Sequence, residues 1–258
     1  MFRQTIALFR YQLVGIVNRR LALLLLAIVS AGFLLSRFVA ELAIINSETI
    51  ALSALADFLR YALVLVMVIT LSYQVAQDYE ARQFDRLLAM PLSRWQYLVA
   101  QWLVMFFFAF LLALPVGLLL WWLAGSPLAL YWSVALLLEL LLVGQFALLA
   151  ILSLEKLPLA VMLSLTLYLL AKAAPIIAVI LAQSSPFYDQ EQSFRLASTL
   201  FSALQYLLPD ASAFAQNDLL SAPQGLLGEL GRQWISVIVY SIFLQLIILF
   251  DFYRKEFN

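Results

Sequence analysis

DYEARQFDRLLAMPLSRWQYLVAQ, Asp78 to Gln101, is the longest run of mixed charge in a 258-residue chain that is otherwise mostly apolar. Its charges are Asp78, Glu80, Arg82, Asp85, Arg86 and Arg94, and a long apolar segment lies on either side. Phe84, Leu87 and Leu88 form an apolar stripe at helical spacing, with Arg82, Asp85 and Arg86 facing elsewhere. Pro91 stops that helix, and Ser93 stands in capping position for a second helix beginning near Arg94–Trp95. The stretch therefore predicts a short amphipathic helix, a sharp turn and then a membrane span. This arrangement fixes the register in which the rest of the chain is divided.

Composition sets the class. Hydrophobic residues make up 65% and charged residues 12%, whereas about a quarter of the residues in an ordinary soluble domain are charged. A chain this apolar is expected to cross the bilayer repeatedly. Cys and His are both absent, which excludes disulfides, thiol chemistry, imidazole bases and His-ligated metals. The formal charge of zero gives no reason to expect a nucleic-acid partner. No removable signal peptide is expected at the start.

Along the chain, residues 1–20 place Phe2, Ile6, Phe9, Leu13 and Ile16 on one helical face, with Arg3, Arg10, Arg19 and Arg20 supplying cations. This pattern predicts an interfacial helix against anionic headgroups. Spans are expected at about Leu21–Val39, Phe58–Val75, Tyr97–Ala124, Tyr131–Leu152, Leu159–Ala182 and Trp234–Phe250. Glu41–Asp57 is expected to be a polar connection, Gly125–Pro127 a tight turn and Ser153–Pro158 a minimal loop. Pro115 and Gly117 predict a kink in the third span, and Pro175 lies inside the fifth. The polar region 183–231 contains the amphipathic Ser193–Leu208 and is broken into short helices by Pro209 and Pro223.

Ten cations (Arg3, Arg10, Arg19, Arg20, Arg82, Arg86, Arg94, Lys156, Arg254 and Lys255) fall on one side of these spans, and Arg195 on the other. The bias predicts both termini and region 77–96 in the cytoplasm, with 183–231 outside. The expectation is an all-α membrane protein with one transmembrane domain, 1–258. It comprises six helices, the N-terminal interfacial helix, a cytoplasmic helix in 77–96 and short outer helices between spans five and six.

No G-x-x-x-x-G-K-[ST] loop is present, and no carboxylate or Ser has a His to activate it. The chain is therefore not expected to be an enzyme alone. Two ionisable groups fall inside spans: Glu139, about 12 Å from the outer end of span four, and Lys172, about 16 Å from the outer end of span five. Their similar depth predicts a pair. Such a pair either fixes helix packing or lines a substrate path, where Lys172 would meet an anionic group. Asp57 and Arg60, three residues apart at the outer start of span two, are expected to gather with Arg37 as an outer-face ion-pair cluster or a gate. Trp102, Trp121, Trp122, Tyr131, Trp132, Trp234 and Tyr253 read as an interfacial belt. The scattered methionines Met67, Met90, Met105 and Met162 give no sign of a soft-metal path.

The run from Glu80 through Phe84–Asp85, Leu87–Leu88 and Pro91 to Ser93–Arg94 resembles the signature of the type-2 family of ATP-binding-cassette (ABC) transporter permeases. In that pattern an acidic residue precedes apolar–acidic–x–Leu–Leu–x–x–Pro–x–Ser–Arg. Two positions depart from it: Arg82–Gln83 replaces the usual glycine, and Gln101 stands where a lysine is usual. Tyr206–Phe214 is similar to an outer-loop segment of some members, and the six-span layout is similar over the whole chain. The resemblance implies a permease subunit, more readily an exporter than an importer, in the bacterial cytoplasmic membrane. Gln77–Leu88 would be its coupling helix, with Asp78, Glu80, Asp85, Arg86, Leu87, Leu88, Pro91, Ser93 and Arg94 contacting the ATPase or bracing the loop. It also implies two ATPase subunits, which would hold ATP and magnesium while this chain holds no cofactor, and a second permease that is either a copy or a homologue. Without that resemblance, a stand-alone secondary transporter, a channel or a membrane scaffold stays open.

Overall fold

The computed structural model describes residues 9–10, 12–13, 15–16, 19–44, 46–80, 94–126, 128–188, 192–209, 211, 214 and 226–254. Seven long helices account for most of them: α1 (Arg19–Leu42), α2 (Ser47–Glu80), α3 (Arg94–Ala124), α4 (Leu128–Leu154), α5 (Leu157–Tyr188), α6 (Gln192–Leu207) and α7 (Leu226–Arg254). Among the described residues, six helices are long and apolar enough to cross a membrane. Each of these helices contains one of the six segments expected from hydropathy. This follows from the solvent: inside hydrocarbon the backbone must satisfy its own polar groups, and a continuous helix does so.

α4 is the axis of the bundle. It packs on α2, α3, α5 and α7, and 83% of its apolar window is buried, against 11% for α1, which lies on α2. Its near-continuous run of Leu, Val and Ala shows no polar face, as befits a helix surrounded by other helices. Small residues allow the close approach. A Cβ on Gly117 of α3 would run into the Ser133 side chain of α4, and Ser133 Oγ donates to the Ala113 carbonyl across the same contact at 3.1 Å. About three turns further along the same face of α4, a Cβ on Gly144 would meet Met105 of α3 and Met67 of α2 at 2.8 Å. Deeper in the bundle, Gln245 of α7 donates to Gln145 Oε1 of α4 at 2.8 Å.

The turns follow local chemistry. Gly125, at φ +61°, closes α3 through its amide bond to the Trp121 carbonyl. Glu155 closes α4 in the same left-handed region (φ 58°), bonding the Ile151 carbonyl. Pro158 then occupies the first turn of α5, where no N–H is missed. α3 runs unbroken through Pro115, and α5 through Pro175.

Several expected boundaries move. α2 begins at Ser47, so most of the expected Glu41–Asp57 connection is helical. The reason is that Ile50, Leu52 and Leu55 continue the apolar stripe past the polar Ser47–Thr49 cap. α5 continues to Tyr188, and α7 starts at Leu226, so both helices extend into region 183–231. α6 ends just before Pro209, as that residue demands. At the N-terminus, the described residues from Phe9 to Ile16 are helical. Part of the apolar face expected to lie on lipid is instead taken up by the bundle: Phe9 meets Phe107 edge-on at 6.1 Å, and Ile16 is buried. Gln74 also donates to the Gln12 carbonyl at 3.4 Å.

Candidate functional site

The densest polar feature among the described residues lies between α2, α4 and α5, where apolar side chains prevail. α4 brings Glu139 into it, fully buried, seven residues or about two turns beyond Trp132 on the same face. α2 contributes Arg60 and Tyr61, and α5 contributes Tyr168 and Lys172, one turn apart.

The contacts are short and reciprocal. Tyr168 Oη donates to Glu139 Oε1 at 2.7 Å. Lys172 Nζ donates to the same oxygen at 3.3 Å and to Tyr168 Oη at 3.0 Å. Arg60 Nε lies 3.4 Å from Glu139 Oε2, with both side chains at 0% exposure. The Arg60 guanidinium carbon stands 4.8 Å from the Trp132 ring centroid, a cation–π stack that fixes the plane of the fork. Lys172 Nζ is held 4.3 Å from the Tyr61 ring and 5.3 Å from the Tyr168 ring.

The Glu139–Lys172 pair anticipated from depth is therefore present. Arg60, by contrast, leaves the outer-face cluster expected for it. Because α2 starts at Ser47, Arg60 is thirteen residues along the helix, about 20 Å from its beginning, and reaches the carboxylate of α4. Asp57 is half-buried one turn away, and Arg37 is exposed. Arg37 instead lines a cleft of about 430 Å³ with Glu48, Thr49 and Leu123, between the ends of α1, α2 and α3. Trp132 likewise departs from the expected interfacial belt. It is fully buried under Arg60, while Trp102, Trp121, Trp122 and Trp234 are exposed. Tyr168 and Tyr61 were not anticipated at all. The signal for Tyr168 was its position one turn before Lys172, which puts both on one face of α5.

Of the residues expected to meet an ATPase, Asp78 and Glu80 form the last turn of α2 and Arg94 the first residue of α3. Asp85, Arg86, Leu87, Leu88, Pro91 and Ser93 lie outside the described residues.

Chemically, the cluster holds two cations and one carboxylate away from water. Lys172 is satisfied by two hydrogen-bond acceptors and two ring faces. Arg60 is not: among the described residues, none of its three nitrogens has a hydrogen-bond partner, and neither does Glu139 Oε2. A charge this enclosed is costly in hydrocarbon, so the arrangement is more than filler between helices. No protein-family model matches the chain, and no curated protein sequence matches it.

Proposed function

We propose that this chain is the permease subunit of an ATP-driven exporter of the type-2 ATP-binding-cassette kind, carrying cargo past the Arg60–Glu139–Lys172 cluster. One observation carries the reading. α2 is continuous for 34 residues, about 51 Å, from Ser47 to Glu80. It therefore joins the start of the charged stretch to Arg60 without a break. The stretch is bounded on its other side by α3, and both helices pack on α4, which holds Glu139. Displacement of the 81–93 segment by a partner would move Arg60 against Glu139 as one rigid lever.

In this reading the resembling segment, Glu80 to Arg94, sits in a groove of one of two ATPase subunits, which hydrolyse ATP with magnesium. A second permease, the same chain or a homologue, completes the path. The charged stretch and both termini lie on the cytoplasmic side of a bacterial inner membrane, where the Lys and Arg bias puts them. The described residues between Phe9 and Ile16, helical and partly packed on α2 and α3, belong in this reading to a basic helix lying at that same interface.

The test is to reverse Asp85→Arg and Arg86→Asp separately, then measure ATPase co-purification and ATP-dependent transport. Loss of both with normal membrane insertion is expected, and unchanged values for both would sink the reading. A stand-alone secondary transporter is favoured by one fact only, the buried carboxylate. It predicts substrate movement with no ATPase bound.

A further inference from the structure

The Arg60–Glu139–Lys172 cluster carries an excess of one positive charge, and its unsatisfied donors are all on one residue. Arg60 offers five N–H groups in a rigid planar fork. Among the described residues its ion-pair partner is Glu139, 3.4 Å from Nε and too poorly aligned to count as a hydrogen bond. Trp132 covers one face of the guanidinium, leaving the nitrogens at its edge as the free part. In proteins such a fork is matched by two oxygens of a carboxylate or phosphate. An oxyanion there would supply the missing acceptors and bring the cluster to neutrality.

Access is also marked. From Arg60 at 0% exposure, the cluster passes through Glu139 and Tyr168 to Lys172, whose side chain is 11% exposed, and ends at Tyr61, which is 44% exposed. This is the seam between α2 and α5. The surface around it is apolar: Leu65 lies one turn from Tyr61, Leu169 and Ile176 flank Lys172 along α5, and all three are exposed. A free hydrated anion would have to cross that hydrocarbon-facing surface. A molecule with an anionic head and an apolar tail would not, because its tail replaces lipid along Leu65, Leu169 and Ile176.

We infer that the cluster is a binding site for the oxyanion headgroup of an amphipathic molecule, drawn in past Tyr61 and Lys172 and gripped by the Arg60 fork. In the present conformation the seam is closed, with the Tyr61 ring over Lys172 Nζ. Opening it requires Tyr61 to swing aside and Lys172 to move off Glu139 and Tyr168, since Arg60 lies at 0% exposure behind them. Glu139 becomes the positioning residue that holds both cations in place between ligands. The inference rests on the permease reading, for which it names the class of cargo.

The experiment uses the full chain in neutral detergent, without any ATPase. Binding of dioctanoyl phosphatidylglycerol, dioctanoyl phosphatidylcholine and inorganic phosphate is measured by native mass spectrometry and titration calorimetry. Saturable phosphatidylglycerol binding, at least about tenfold tighter than phosphatidylcholine, is expected: both headgroups offer a phosphodiester to the fork, but the choline cation of the second is repelled by the excess positive charge of the cluster. Lys172→Met should weaken it about tenfold and Lys172→Arg should restore most of it, since the charge and not the packing is at stake. Arg60→Met should weaken it further. If that variant does not fold, Lys172→Met decides the matter, because it leaves the neutral Arg60–Glu139 pair intact. Equal affinity for both lipids, or no change in Lys172→Met, overturns the site. Inorganic phosphate binding as tightly as the lipid overturns the amphipathic part. Because no ATPase is present, these outcomes are independent of the Asp85 and Arg86 reversals: lipid binding lost with ATPase capture intact refutes the headgroup site alone.

Discussion

Glu139→Gln is the substitution that tests the cluster most directly. The amide keeps the shape of the carboxyl and can still bond Tyr168, but it removes the only negative charge among three ionisable groups. In the native protein the carboxylate attracts Arg60 at 3.4 Å and Lys172 at 3.3 Å. Each attraction amounts to about 5 kcal/mol at an effective dielectric constant near 20. Against their loss stands the several kcal/mol of desolvation that the carboxylate no longer suffers. The two buried cations remain and face each other uncompensated, so the net loss should be about 3–5 kcal/mol, the range for removing one partner of a buried pair. Lys172→Met behaves differently. It forfeits one attraction, relieves one desolvation and leaves a neutral Arg60–Glu139 pair, so its loss should stay within about 1–2 kcal/mol. Thermal unfolding of the purified protein in detergent, followed by size-exclusion of the surviving fraction, reads the difference. A midpoint on the order of 10 °C lower for Glu139→Gln than for wild type is expected. Should Glu139→Gln prove as stable as Lys172→Met, the two cations do not depend on that carboxylate, and the electrostatic account of the cluster fails.

Three other perturbations follow from the packing. Gly117→Ala gains helix propensity but drives a methyl into Ser133 of α4; a net loss of about 1–3 kcal/mol is expected from overpacking in the same thermal assay. Gln245→Leu strips the acceptor Gln145 Oε1 of its donor in the bundle interior, and should cost about 1–3 kcal/mol. The double variant Gln145→Leu/Gln245→Leu should recover most of that loss, which a double-mutant cycle will register. Trp132→Ala removes the ring beneath Arg60; it should lower stability by about 3–5 kcal/mol through the cavity it leaves and weaken headgroup binding with it.

The six-helix layout could be read in advance because one physical constraint dominates. Hydrocarbon penalises charge and unpaired backbone so heavily that span number follows from where charges are absent. Boundaries were harder to read for the same reason. Ser47, Glu48 and Thr49 look like a loop by hydropathy, yet Thr49 Oγ1 returns its hydrogen bond to the Asn46 carbonyl and Glu48 sits in the first turn, so these residues open a helix that then runs on to Glu80. Side-chain polarity reports the depth of a residue in the bilayer, and it does not by itself report whether the backbone is coiled.

That distinction decides what was missed at the site. Glu139 and Lys172 stand alone in long apolar runs, so their pairing could be inferred from depth. Arg60 has Asp57 three residues before it, and at an assumed helix end the local pair was the economical reading. Once α2 starts thirteen residues before Arg60, the choice changes. An Asp57–Arg60 contact would leave Glu139 with Lys172 alone, whereas the fold gives Glu139 both cations and leaves Asp57 half-buried at the next turn. The consequence is mechanical as well as electrostatic. A lone Glu139–Lys172 pair would tie only α4 to α5, which are already joined by the short turn at Glu155–Lys156. Recruiting Arg60 ties both to α2, the helix that leads without interruption to the charged stretch at Asp78. Any force applied there must work against the buried ion pair, and an oxyanion that satisfies the Arg60 fork changes how firmly that pair holds.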